Sequence, residues 1–276
     1  MVKSLTDYTT LNNGVKMPWF GLGVYKTEEG EEVIHSVRTA LEYGYRSIDT
    51  AKLYANEEGV GKAIRESGVP RDEIFVTTKL WNTDQGYDST LDAFEASRRR
   101  LGLEYLDLYL IHWPGQSKFK ETWKAFEKLY KDGLVRAIGV SNFHVHHLQS
   151  LLADAEIVPA VNQIEFHPRL TQVEVREFCQ SRDIQVEAWS PLMRGKLLDN
   201  PTVTRIAEAH GKSPAQVILR WDLDHAVVTI PKSTHANRIQ ENADVFDFSL
   251  NDDEIAALDA LNTNERTGPN PDELMF

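Results

Sequence analysis

Ile74-Phe75-Val76-Thr77-Thr78-Lys79 is an apolar, β-rich run that ends in a cation. An ammonium at the end of a buried strand is costly unless a nearby charge or a chemical task accounts for it. Other apolar runs of the chain end in the same way. Arg46-Ser47-Ile48 runs into Asp49, Leu106-Asp107-Leu108-Tyr109-Leu110-Ile111 into His112, and Ala137-Ile138-Gly139-Val140 into Ser141 and Asn142. Ile184-Gln185-Val186-Glu187-Ala188-Trp189 runs into Ser190, and Val227-Val228-Thr229-Ile230-Pro231 into Lys232 and Ser233. If these strands are parallel, their ends meet on one face, and that face is a reaction site.

Helical periodicity fills the gaps between the runs. Over Glu31 to Tyr43, Val33, Val37, Ala40 and Leu41 share a face; over Glu57 to Glu66, Val60, Ala63 and Ile64 do, with a stop near Gly68 and Pro70. The spacing predicts further helices over 90–101, 123–131, 145–152, 172–181, 203–209, 215–223, 238–243 and 252–261. Ser213 caps the one that begins at 215, with Pro214 at its first position. Strands are predicted over 19–24, 47–49, 74–79, 106–111, 137–140, 161–165, 185–189 and 227–230. Ahead of them, Asn12-Asn13-Gly14 joins Tyr8-Thr9-Thr10-Leu11 to Val15-Lys16-Met17, a hairpin signal. Eight strands alternating with helices in 276 residues predict an α/β fold, a (β/α)8 TIM barrel with an N-terminal β-hairpin and extra helices near the C-terminus, one domain over 1–276. A doubly wound sheet is the competing architecture. It would carry a glycine-rich phosphate turn after its first strand, and Gly21-Leu22-Gly23-Val24-Tyr25-Lys26 has no third glycine at the required offset.

Composition narrows the function classes. The net charge is −12, from 42 acidic and 30 basic residues, which argues against nucleic acid or an anionic membrane as partner. The one cysteine, Cys179, permits no disulfide within the chain and falls on the apolar face of a helix, where a nucleophile is not expected. Met1 to Asp7 lack the apolar stretch of a secretory leader, and no run of about 18 apolar residues occurs, so a cytoplasmic protein is expected.

In a barrel the C-terminal strand ends share a rim, which would gather Asp49, Lys79 and His112, with Tyr54 in a loop able to fold back over it. A phenol titrates near 10, and an adjacent ammonium lowers that value. Asp49 would hold Lys79 charged, Tyr54 would then serve as a general acid toward an oxygen, and His112 would orient the same oxygen. A barrel-strand lysine could instead form a Schiff base, making the protein a lyase or aldolase, although Asp49 opposes the neutral amine that such chemistry needs. No metal site is expected: His144, His146 and His147 start a helix with no carboxylate or cysteine at ligand spacing.

The residues also resemble a known family. Asp49-Thr50-Ala51-Lys52-Leu53-Tyr54 with Asn56-Glu57, Thr78-Lys79-Leu80-Trp81, Ile111-His112-Trp113-Pro114, Gly139-Val140-Ser141-Asn142-Phe143, Asn162-Gln163-Ile164-Glu165-Phe166-His167-Pro168 and Ile230-Pro231-Lys232-Ser233 are similar to the aldo-keto reductases, in family order from about Leu11 to the C-terminus. Within the family the chain most resembles the small bacterial reductases of glyoxal, methylglyoxal and diketogluconate. Its tail, Gly268 to Leu274, resembles the glyoxal/methylglyoxal branch.

The resemblance implies NADPH-dependent reduction of a small carbonyl compound, with Asp49, Tyr54, Lys79 and His112 catalytic. It implies a cofactor site at Val24, Tyr25, Asp49, Ser141, Asn142 and Gln163, with Trp189 stacking on the nicotinamide. Ser190, Pro191, Leu192, Arg194 and Lys196 would follow the pyrophosphate. Lys232, Ser233, Thr234 and Arg238 would hold the 2′-phosphate, and Glu241 and Asn242 would lie by adenine. Tyr25, Tyr54, Trp81, His112 and Trp113 would line the substrate pocket, left open by the short loop from Gly115 to Lys118. Trp19 is expected in the core instead. Some relatives serve channels, so a non-catalytic NADPH-sensing subunit is a further reading, which the complete tetrad opposes. A monomer is expected.

Overall fold

The computed structural model describes residues 2–115 and 117–274. Two short strands, β1 (Tyr8–Thr10) and β2 (Lys16–Pro18), pair antiparallel with Thr9 opposite Met17, as the Asn-Gly turn predicts. Strands and helices then alternate as β3 (Leu22–Gly23), α1 (Glu31–Tyr43), β4 (Ser47–Asp49), α2 (Glu57–Glu66), β5 (Phe75–Leu80), α3 (Tyr87–Leu101), β6 (Leu106–Ile111) and α4 (Phe119–Lys131). They continue as β7 (Val135–Ser141), α5 (Val145–Leu152), β8 (Val161–Glu165), α6 (Val173–Gln180), β9 (Gln185–Trp189), α7 (Pro201–His210), α8 (Pro214–Asp224) and β10 (Val228–Thr229), and finish with α9 (Ala236–Ala243) and α10 (Asp252–Asp259).

Strands β3 to β10 form one parallel sheet in chain order. Two parallel bridges, Phe20 to Thr229 and Gly23 to Lys232, join its edges, so the sheet closes on itself. Across this seam the Gly21 N–H donates to the Thr229 carbonyl at 3.0 Å and the Gly23 N–H to the Pro231 carbonyl at 3.2 Å. Gly23 has to be glycine for the seam to form, because a Cβ there would lie 2.8 Å from the Ile230 carbonyl oxygen. The strand predicted over 19–24 is accordingly shorter than expected. Only Leu22 and Gly23 pair with β4, and Phe20 meets the other edge through a single bridge.

Alternation of side chains along each strand separates two apolar layers. Val76, Leu80, Tyr109, Ile111, Ile138 and Val140 face outward into a continuous core beneath the helices. Phe75, Leu108, Leu110, Ala137, Val161 and Val228 face inward, where Leu11 and Met17 of the hairpin close over them. Burying each of the valine, leucine, isoleucine and phenylalanine side chains among them contributes roughly 1.5–3 kcal/mol. Trp19 packs against both layers, as expected of a core residue. Further along the inward faces the apolar character stops, and polar side chains take over at the opposite end.

Candidate active site

The sheet register brings the tetrad together. Asp49 pairs with Thr77, and Lys79 with Leu110, so the inward face of β5 carries Lys79 past the end of β4. Lys79 is fully buried, and its Nζ donates to Asp49 Oδ1 at 2.5 Å and to the Thr50 carbonyl at 2.9 Å. Tyr54 arrives from a 3₁₀ turn, Lys52–Tyr54, that follows β4. Its hydroxyl lies 3.3 Å from Lys79 Nζ. The turn is held from below. Asn56 is buried and donates from its amide to the Val24 and Thr27 carbonyls, while its oxygen accepts from the Thr50 hydroxyl at 2.7 Å. Glu57 accepts from the Thr78 hydroxyl at 2.6 Å and from Arg100 Nε at 2.7 Å, tying the start of α2 to β5 and α3.

His112 follows β6, and its ring lies edge-on to Tyr54 at 5.8 Å and to Trp81 at 5.3 Å. Tyr25, nearly half exposed, sits 5.1 Å from the Tyr54 ring, and Trp113 packs 6.4 Å from Trp189. Tyr25 and His112 thus flank the Tyr54 ring, while Trp81 and Trp113 flank His112, in an aromatic setting suited to a small organic ligand. Gln116, in the loop expected to leave this site open, lies outside the described residues.

Burial and charge compete at every titratable group here. Burial alone would pull the Lys79 ammonium down, but the attraction of Asp49 and its hydrogen bonds prevail and raise its pKa. Asp49 is pushed up by burial against the pull of Lys79 and Gln163. The Tyr54 phenol also rises, because burial outweighs the stabilising charge of Lys79. The expected net acidification of Tyr54 is therefore corrected. The ammonium does favour the phenolate, yet the surrounding low dielectric keeps the proton on the oxygen. His112 is driven well below the ordinary imidazole value by burial and by repulsion from Lys79, so it is a neutral hydrogen-bonding group. Its Nδ1 is buried and meets no partner among the described residues.

One connection was absent from the sequence reading. Gln163, expected to face a cofactor amide, donates from the same Nε2 to Asp49 Oδ2 and to Glu187 Oε2, both at 2.8 Å. Gln163 and Glu187 are directly opposed across β8 and β9. Glu187 is fully buried, and burial together with the nearby Asp49 charge pushes it to about 8. An acid in the middle of the Ile184–Trp189 run was its available signal, of the same kind as Lys79.

The remaining expected positions follow the rim. The Ser141 hydroxyl donates to the Gln163 carbonyl at 2.7 Å, Asn142 Nδ2 to the His112 carbonyl at 2.9 Å, and Trp189 Nε1 to Asn142 Oδ1 at 2.8 Å. Asn142, Ser190 and Arg194 hold left-handed φ of 63°, 51° and 54°. Such backbone persists only where its surroundings enforce it, and it clusters at functional sites. Val24 and Pro191 are buried, Leu192 and Thr234 are partly buried, and Lys196 reaches Glu265 at 3.8 Å. Beside the seam, Ser233 and Asn242 are buried while Lys232, Arg238 and Glu241 are exposed. Neither Lys232 nor Arg238 has an ion-pair partner among the described residues. Two unpaired cations flanking a buried hydroxyl at the start of α9 fit an anion such as a phosphate. Cys179 is buried, with its thiol pushed up to about 11, and plays no part in the site.

A model of the Aldo/keto reductase family matches residues 20–263. Glyoxal reductase of Bacillus subtilis (strain 168) is 66% identical over 276 residues, covering all of both chains. 9,11-endoperoxide prostaglandin H2 reductase of Trypanosoma cruzi (strain CL Brener) is 57% identical, covering 95% of this chain and 94% of its own. Among solved structures, a Gox0644 mutant in complex with NADPH superposes with a TM-score of 0.94 at 44% identity and covers all of both chains.

Proposed function

The chain belongs to the aldo/keto reductase family, and from that premise we propose that it is an NADPH-dependent reductase of small aldehydes and ketones, glyoxal and methylglyoxal among them. The observation that carries this reading is the partly buried Tyr54 hydroxyl 3.3 Å from a lysine that Asp49 keeps charged. Full coverage of a glyoxal reductase at 66% identity supports the small dicarbonyl substrate.

The residues divide the work. NADPH, when bound, supplies the hydride. Tyr54 retains its proton at neutral pH and presents it to the carbonyl oxygen. As that proton leaves, Lys79 stabilises the phenolate, and Asp49 holds Lys79 in place. His112 stays neutral and directs the carbonyl oxygen by hydrogen bonding. Asn142, Gln163 and Ser141 offer amide and hydroxyl groups to the carboxamide, and Trp189 offers a ring face. Lys232 and Arg238 suit the 2′-phosphate, and an unpaired arginine fork favours NADPH over NADH. The Schiff-base reading is disfavoured, because an amine 2.5 Å from a carboxylate is held protonated and cannot attack. We place the enzyme in the cytoplasm as a monomer. Among the described residues no helix is long and apolar enough to cross a membrane.

Tyr54→Phe tests the assignment. Methylglyoxal-dependent NADPH oxidation is expected to fall about 10²–10⁴-fold, the usual contribution of a positioned acid. NADPH binding, read by fluorescence, should change little. A variant that keeps its activity refutes the role of Tyr54.

A further inference from the structure

We propose that His144, His146, His147 and Asp272 form a binding site for a divalent transition-metal ion of the zinc type, and that the ion fastens the C-terminal tail to the start of α5. Each residue offers one ligand atom, and the four atoms lie within 4.8 Å of one another. The expectation of no carboxylate at ligand spacing holds only along the chain. Folding brings Asp272 across 128 positions to His144. Its Oδ2 lies 2.9 Å from His144 Nδ1, while Oδ1 lies 3.0 Å from His146 Nε2 and 3.5 Å from His147 Nε2. Three imidazoles and a carboxylate select zinc, cobalt, nickel or copper over calcium or magnesium, which prefer an all-oxygen shell.

The geometry requires a modest contraction. Ligand bonds of about 2.0–2.1 Å in a tetrahedron place donor atoms roughly 3.4 Å apart. His144 and His147 are largely buried and fixed, whereas His146 and Asp272 are exposed side chains free to close the distance. A groove of about 670 Å³, lined by His144, His146, Gln172, Asn262, Arg266 and Asp272, gives the ion a way in. Loading has identifiable costs. His147 Nδ1 now accepts the His144 backbone N–H at 3.1 Å, and His144 Nε2 accepts from Arg266 at 3.1 Å. For either ring to bind through its Asp272-facing nitrogen, its proton must move to the other nitrogen. The cap bond and the Arg266 contact must then open.

The consequence reaches the candidate active site through the tail. The N–H groups of Thr267 and Gly268 are held by Glu165, and a Cβ on Gly268 would lie 2.4 Å from the Trp189 ring. The tail therefore crosses the ring assigned to the nicotinamide, and Asp272 is the next tail residue whose side chain is hydrogen-bonded to the barrel's helices. An ion there restrains the strap at its far end.

The test uses the full-length protein freed of metal by chelator. Zn²⁺ affinity is measured by competition with a chromophoric chelator, and Co²⁺ is added as a spectroscopic probe. One ion per chain and the visible bands of low-symmetry, nitrogen-rich Co²⁺ are expected. His146→Ala and Asp272→Asn should each weaken binding by at least about tenfold. Both positions are exposed, so the fold is kept, which circular dichroism checks. Hydrogen exchange over residues 265–274 should slow when Zn²⁺ is bound. Binding that both variants retain overturns the site, and unchanged exchange in the loaded protein overturns the fastening.

Discussion

At the hairpin end of the barrel, Phe75, Leu108, Leu110 and Val161 meet Leu11 and Met17 in a layer without a charge. Two or four residues further along the same inward faces stand Lys79, His112, Gln163 and Glu165, all buried and all polar or ionisable. Both ends exclude water, but they use the exclusion differently. At the hairpin end it stabilises the fold through apolar contact. At the rim it destabilises isolated charges, and compensating pairs form there: Lys79 with Asp49, and Gln163 spanning two carboxyl groups. The apolar layer and the proposed reaction site thus sit at opposite ends of the same strands.

Lys79→Met should break that division most severely. It leaves Asp49 buried without its cation, so stability should fall by about 3–5 kcal/mol in urea unfolding, and methylglyoxal reduction should be lost. Adding Asp49→Asn should restore much of the stability and none of the activity. Recovery of both would show that the pair serves only the fold. Leu108→Ala is the converse test at the hairpin end. Unfolding should cost about 2–5 kcal/mol less, with kcat/KM of the folded enzyme unchanged.

Glu187 belongs to both descriptions, and pH separates them. Its pKa is about 8 in the fold against an ordinary 4.5. Between those values the native state keeps a proton that the unfolded chain has released. Stability should therefore fall as pH rises from about 4.5 to about 8, by at most about 1.4 kcal/mol per pH unit. Urea midpoints across this range should flatten in Glu187→Gln, and an unchanged slope would assign the dependence elsewhere. The smallest effect belongs to the exposed edge of the rim. Arg238→Ala should weaken NADPH roughly fivefold, the size of an exposed charge contact near 1 kcal/mol, and leave NADH unaffected. Equal losses for both coenzymes would remove Arg238 from phosphate recognition.

Local pattern made much of this legible. The helices over 31–43, 57–66 and 145–152 follow the predicted bounds, because their apolar spacing begins and ends with the element. Several others begin earlier than predicted, two of them by three or four residues. α3 starts at Tyr87 rather than Thr90 and α4 at Phe119 rather than Trp123, since their first turns are largely polar and carry little periodic signal. The four rim residues were readable because each is a polar group ending an apolar run or lying just beyond one. Glu187 above Gln163, Asn56 beneath the Tyr54 turn and Asp272 among the histidines were not. Each depends on which strand, loop or tail comes to lie opposite, and that register is a property of the assembled barrel.

The seam between Phe20–Gly23 and Thr229–Lys232 has one more implication. The hoop is joined at this seam by fewer paired residues than the β5–β6–β7 wall, so its backbone amides are expected to exchange with solvent sooner than those of that wall. Lys232 stands at that joint, so an anion gripped there would act as a clasp across the two edges.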